Sequence, residues 1–170
     1  MKQKESPFGQ KKDLFYMKKA IALAQRAYDK EEVPVGAIVV DKKGKIIGRG
    51  YNQIEKKDTQ AAHAEITAIT KAGKKIGDWR LNGCWLYVSL EPCSMCMNMT
   101  LLSRIEGVVF GATSPVFGYR LDKDLTFQLY TIGTLKIVPG VLADESATLL
   151  KNFFRHKRGD IDYDTKRKFT

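Results

Sequence analysis

Cysteine is scarce in this chain, with three among 170 residues. That excludes the disulfide framework of small secreted domains and points to a reducing compartment, expected to be the cytoplasm. No apolar run approaches the length needed to cross a bilayer, so no membrane association is expected. The basic N-terminus (Met1 to Lys12) lacks the apolar centre of a secretory signal. Acidic residues are in deficit: 19 Asp and Glu face 29 Lys and Arg, for a net charge of +10. A basic surface attracts polyanions, which makes nucleic acid an expected partner, although a lysine-rich composition for solubility gives the same total. Placement says more, since Arg155, Lys157, Arg158, Lys166, Arg167 and Lys168 crowd the C-terminal end, where a groove or tail can track phosphates. The remaining composition, 44% hydrophobic and 28% charged, suits one globular domain with a real core.

Two of the three cysteines stand three apart, in Glu91-Pro92-Cys93-Ser94-Met95-Cys96. With Ser94 capping a helix, both sulfurs reach one point near its first turn, where the positive helix end favours thiolate. A third soft ligand, His63, lies upstream in His63-Ala64-Glu65. One nitrogen and two sulfurs suit zinc and leave a fourth position open, the pattern of a catalytic rather than a structural site. The supply of a fourth protein ligand is thin: Cys84, alone before a strand, and His156, in a basic stretch. Glu65 is expected to miss the metal yet face its open position, where a carboxylate can shuttle protons. Taken singly these signals are weak, because a lone Cys-x-x-Cys is also a redox or fortuitous pair. In this order, with proline before the first cysteine, they match the zinc deaminase signature.

Along the chain, residues 1–11 form a flexible basic tail. Asp13 is expected to cap a helix running to about Lys30, its apolar stripe being Leu14, Met17, Ile21, Ala24 and Tyr28. Val35 to Val40 and Lys45 to Gly50 read as a hairpin turned at Gly44. The first of these strands is apolar on both faces, so helices must cover both sides of the sheet. Ile54 to Gln60 reads as polar loop, and Ala61 to Ala72 as a helix with Ile66 and Ile69 inward and Gly73 as its C-cap. Trp79 is expected in the core. Cys84 to Leu90 is a third strand, ended by Pro92. Ser94 to Ser103 is the second ligand-bearing helix, with its methionines and leucines as core filling. Gly107 to Phe110 is a fourth strand, Thr113 to Thr134 a substrate-facing loop with a short helix, and Thr134 to Val138 a fifth strand. Leu142, Leu149, Leu150, Phe153 and Phe154 mark a closing amphipathic helix, and residues 159–170 a flexible polar tail. The expected class is α/β: a three-layer α/β/α domain over residues 12–158 with a mixed five-stranded sheet.

Glu32-Val33-Pro34-Val35-Gly36-Ala37, Asn52, His63-Ala64-Glu65-Ile66, Glu91 to Cys96, Ser103-Arg104-Ile105 and Val109-Phe110-Gly111-Ala112 together resemble the bacterial tRNA adenosine deaminases. So do Val141 to Glu145 and Phe153-Phe154-Arg155, and the similarity covers roughly residues 12 to 158. The resemblance implies a cytidine-deaminase-like fold, a homodimer and one zinc ion per subunit. It also implies conversion of the wobble adenosine of a tRNA anticodon loop to inosine with release of ammonia. By the same resemblance His63, Cys93 and Cys96 are zinc ligands, Glu65 is the proton shuttle, and Asn52, Ala64, Val35 and Pro92 contact the flipped base. The chain departs from the family pattern at Thr113-Ser114-Pro115-Val116-Phe117-Gly118-Tyr119-Arg120. There Phe117, Tyr119 and Arg120 are candidates for stacking and phosphate contact or for packing. Two other readings remain open at this level: a deaminase of free guanine- or cytosine-type bases or nucleosides, and a zinc-containing RNA-binding module without catalysis.

Overall fold

In the computed structural model, which describes residues 6–121 and 135–167 (side chains only as far as Gly159), a five-stranded sheet is covered on both faces by helices. The elements in order are α1 (Gln10–Tyr28), β1 (Gly36–Val40), β2 (Ile46–Tyr51), α2 (Ile54–Lys57), α3 (Ala64–Ile76), β3 (Trp85–Leu90), α4 (Ser94–Leu102), β4 (Gly107–Ala112), β5 (Lys136–Val138) and α5 (Ala143–Arg167). The strand order is β2-β1-β3-β4-β5. β1 runs antiparallel to both β2 and β3, whereas β3, β4 and β5 are parallel, so the sheet is mixed as expected.

Side-chain alternation divides the core into two layers. Ala37, Val39, Leu86, Val88, Val108 and Phe110 face α3 and α4. Ile38, Val40, Trp85, Tyr87 and Val109 face α1 on the other side. All five residues of β1 are buried, which explains its unbroken apolar run.

The register gathers the functional loops at one end of the sheet. Gly36 pairs with Tyr51, Ala37 with Val88, and Leu90 with Ala112. The residues entering β1 and those leaving β2, β3 and β4 therefore emerge together. In an α/β sheet the carboxyl ends of parallel strands are where ligands bind. Two glycines set the height of α3 above β2: a Cβ on Gly48 would overlap the Ala68 carbonyl oxygen, and one on Gly50 that of Ala64. Helix and strand backbones thus lie in direct contact under the first turn of α3.

Several local expectations are corrected. Asp13 does not cap α1, which starts earlier at Gln10 behind Gly9. Its buried carboxylate accepts hydrogen bonds from the Ser6 backbone N–H and hydroxyl and, at 2.6 Å, from the Tyr87 hydroxyl. The core face of α1 is Tyr16, Met17, Ala20, Ala24 and Ala27, and Leu14 is exposed. α1 crosses β1 at Gly36 with the two backbones in contact, since a Cβ there would overlap the Ala20 carbonyl oxygen and the Ala24 nitrogen. α3 runs past Gly73 and ends at Gly77, which takes the left-handed conformation with φ 80°. Residues 54–60 are not simply loop, since Glu32 accepts the Glu55 and Lys56 N–H groups at 3.1 and 2.9 Å and so caps the short helix α2 from a distance. Trp79 is exposed, with the Arg80 and Arg104 guanidinium groups 4.4 and 5.3 Å from its ring centroid. Of the α4 apolar residues, Met97 is buried but Met95 and Leu102 are exposed. On α5, Phe153 is buried against Tyr28 while Phe154 stays exposed. α1 begins at Gln10 and α5 extends to Arg167.

Candidate active site

His63 and Cys93 occupy the same kind of position: each is the N-cap residue of a helix, α3 and α4 respectively. Their carbonyls accept the first helical bonds, from Thr67 at 3.0 Å and from Met97 at 2.9 Å. Two helix N-termini thus point toward one place, each bringing a partial positive charge and free N–H groups. Cys96 joins from the first turn of α4. The ligand atoms of His63, Cys93 and Cys96 all lie within 4.8 Å of one another. His63 Nδ1 is 3.8 Å from Cys93 Sγ and 3.4 Å from Cys96 Sγ. Among the described residues this is the one group of three or more histidine, cysteine or carboxylate ligands so gathered.

The donor set fits zinc. One imidazole and two thiols are soft ligands, and three of them leave a tetrahedral ion one open position. His63 Nε2 lies 3.2 Å from Gln60 Oε1, which as acceptor fixes the proton on Nε2 and leaves Nδ1 free for a metal. Electrostatics favours the same outcome. The Cys93 thiol falls to about 4, chiefly because the Cys96 thiol donates a hydrogen bond to its sulfur, with His63 adding to the effect. Cys96 is pushed up in turn by its bond to Cys93 and by burial. His63 is raised, first by its hydrogen bond with Cys93. The pair therefore loses its first proton readily and holds its second.

Glu65 is buried, with 4% of its surface exposed, on the first turn of α3. Burial raises its carboxyl above the usual range, and it is within hydrogen-bonding reach of Cys96. A carboxyl group whose proton affinity is raised so close to the three ligands suits proton transfer at the open position.

Ala64 is buried as the first residue of α3. Asn52 is buried at the end of β2, and its N–H donates to the Val35 carbonyl at 2.9 Å. That bond ties the entry to β1 and the exit from β2 into one wall. Pro92 is buried immediately before Cys93, and its carbonyl accepts from Tyr119 N–H at 3.0 Å. Neither alternative ligand approaches. Cys84 precedes β3, at the opposite end from Cys93, and burial pushes its thiol up to about 11. His156 sits on α5, where its Nδ1 is 3.3 Å from the Tyr28 hydroxyl.

Arg120 is taken. Its Nε and Nη2 donate to the two carboxylate oxygens of Glu91 at 2.7 and 2.9 Å. Ser114 N–H donates to the same carboxylate at 2.9 Å. Burial alone raises the Glu91 carboxyl, but these bonds outweigh it and hold it below its usual range. The guanidinium is thus committed to Glu91 rather than to a phosphate. Tyr119 packs against the α3/α4 core, while Phe117 is 76% exposed. A short 3₁₀ turn, Tyr119–Leu121, is the described part of the expected loop helix, and the rest of that loop, 122–134, lies outside the described residues. Lys166, Arg167 and Lys168 likewise lie outside the residues whose side chains are described. Glu32 and the Glu91–Arg120 pair had no signal in local sequence, because each acts on a segment distant along the chain, whereas Gln60 lies only three residues before His63.

Residues 10–112 match the cytidine and deoxycytidylate deaminase zinc-binding region. The tRNA-specific adenosine deaminase of Bacillus subtilis (strain 168) is 43% identical over 151 residues, 86% of this chain and 91% of that protein. A structure from work on A-to-I editing by tRNA A34 deaminases at the wobble position superposes with a TM-score of 0.72 and 33% identity. That match covers 80% of this chain and 99% of the other. A guanine deaminase from Bacillus subtilis, also 33% identical, matches less of the fold: TM-score 0.58, covering 64% of this chain and 76% of its own.

Proposed function

Because this chain belongs to the cytidine and deoxycytidylate deaminase zinc-binding family, we propose that it hydrolyses the wobble adenosine of a tRNA anticodon loop to inosine and ammonia. The observation that carries the reading is the convergence of His63, Cys93 and Cys96 with Glu65 buried beside them. A structural zinc site has no use for a buried carboxylate next to an open position, which disfavours the non-catalytic module. The substrate assignment rests on relatives of nearly full length that are tRNA-specific adenosine deaminases.

His63 Nδ1 and the Cys93 and Cys96 sulfurs would hold zinc. When bound there, zinc supplies Lewis acidity that brings water within reach of deprotonation near neutral pH. The Glu65 carboxylate takes a proton from the attacking water and delivers it to the ring nitrogen beside the amino-bearing carbon. As the carbon–nitrogen bond breaks, Glu65 carries the water's second proton, from the new hydroxyl on that carbon, to the departing amine, which leaves as ammonia while the ring keeps the oxygen. Asn52, Val35, Ala64 and Pro92 line the wall that orients the base. The base must be unstacked to enter, and an anticodon loop presents it already out of a duplex. Charge contributes to encounter, since a net +10 surface draws in a polyanion.

The active unit is a homodimer in the cytoplasm. Met95 and Leu102, on one face of α4, are exposed. An apolar rim beside the site is best covered by a second copy. No helix among the described residues is long and apolar enough to span a membrane. The reading is tested by incubating purified protein with adenosine-34 tRNA and, separately, with guanine and cytosine. Inosine at the wobble position without ammonia from the free bases supports it, and the reverse transfers the chemistry to a free-base substrate.

A further inference from the structure

The segment Ser114 to Arg120 is bolted to the turn that carries Cys93. Glu91, two residues before that cysteine, has a fully buried side chain, whereas Arg120 is half exposed. A buried carboxylate requires a counter-charge and several donors. It finds both in one segment: Ser114 N–H at 2.9 Å, and the fork of Arg120 at 2.7 and 2.9 Å. Bidentate geometry of this kind fixes orientation as well as distance. Gly118 lies between these donors so close to the carboxylate that any Cβ would collide with it. Tyr119 N–H then donates to the Pro92 carbonyl at 3.0 Å, and Phe117 N–H to Ser114 Oγ at 3.1 Å. Residues 114 to 120 are thereby held as one rigid arch over Glu91-Pro92. Its crown, Val116 and Phe117, remains 67% and 76% exposed.

We infer that Arg120 is a positioning residue for the deamination proposed above, acting through Glu91 to hold the 114–121 arch at the mouth of the site. The arch bears on where the nucleotide sits, and the proton chemistry belongs to Glu65. Loss of the fork therefore weakens productive binding far more than turnover of bound substrate, a signature in KM rather than kcat. Lysine keeps the charge but not the planar fork and restores the arch only in part.

The experiment compares wild type, Arg120→Ala, Arg120→Lys and Phe117→Ala, each with zinc content measured, on a tRNA bearing adenosine 34. Affinity for the same tRNA is measured in parallel in a Glu65→Ala background, so that binding is read without turnover. The expected results are one zinc per chain throughout, and KM and Kd for Arg120→Ala raised about tenfold with kcat within about threefold. Arg120→Lys falls between it and wild type, and Phe117→Ala reproduces part of the rise. Unchanged KM and Kd in Arg120→Ala overturn the inference, as does a loss confined to kcat or to zinc content. Should Arg120→Ala fail to fold, Arg120→Lys carries the same criterion. A wild-type protein that leaves the tRNA unaltered contradicts the proposed function instead, so the two failures are distinguishable.

Discussion

His63 Nδ1 lies 3.4 Å from Cys96 Sγ, although 33 residues separate them in the chain. The sheet register accounts for this meeting. β2 and β3 deliver their following segments to one edge, and α3 and α4 start there with His63 and Cys93 as their N-caps. The ligand set is therefore a property of the fold.

Zinc stoichiometry checks that statement. Purified protein should hold one zinc per chain, and His63→Ala or Cys93→Ser should lose most of it. Cys84→Ala should keep the full complement, because Cys84 lies at the other end of β3. Elemental analysis after dialysis reads all three.

Metal affinity should fall as pH falls. Cys93 near 4 is already thiolate at neutral pH, but Cys96 is pushed up and must surrender its proton to bind, and the raised His63 favours the proton over the metal as pH falls. Raising pH makes that surrender easier, which gives tighter binding at pH 8 than at pH 6. Competition with a chelator across this range measures the slope, and a flat profile would contradict the assigned ligands.

The Asp13–Tyr87 pair predicts a stability effect remote from the metal. Tyr87→Phe removes a 2.6 Å donor to a buried carboxylate and should cost about 1–3 kcal/mol in urea unfolding near pH 8. Burial, then the bond to Asp13, raises the Tyr87 phenol above its ordinary value of 10.0. A raised phenol stabilises the fold below the unfolded value and loses that contribution as pH rises beyond it. The gap between wild type and Tyr87→Phe should accordingly narrow above pH 10.0.

Gly50 carries the seat of α3. Gly50→Ala drives a methyl group into the Ala64 carbonyl, which should lift the first turn of α3 and cost about 1–3 kcal/mol. His63 and Glu65 ride on that turn, so zinc affinity should drop as well. Thermal unfolding with and without zinc separates the two effects.

Much of this arrangement was legible in the residues themselves. β-branched density at Val35 to Val40 and the proline after Leu90 mark strands whatever surrounds them. Cys93 and Cys96 share a helical turn by spacing alone. The failures share a physical cause. Asp13 has the chemistry of a cap but was recruited by a tyrosine 74 residues away. Trp79 has the hydrophobicity of a core residue, yet two guanidinium groups stack on it at the surface. Gly73 can end a helix, but Gly77 offers the same backbone freedom one turn later and prevails. Arg120 reads as a phosphate ligand until Glu91 is seen to need it. Local propensity carries no information about partners as distant as Tyr87 is from Asp13 or Glu91 from Arg120.

The most direct test of the whole account is Glu65→Ala, assayed beside wild type for zinc content and for inosine at position 34 of a substrate tRNA. The account predicts unchanged zinc and a fall in deamination of at least about a hundredfold. Deamination at near wild-type rate, with zinc in place, would contradict it.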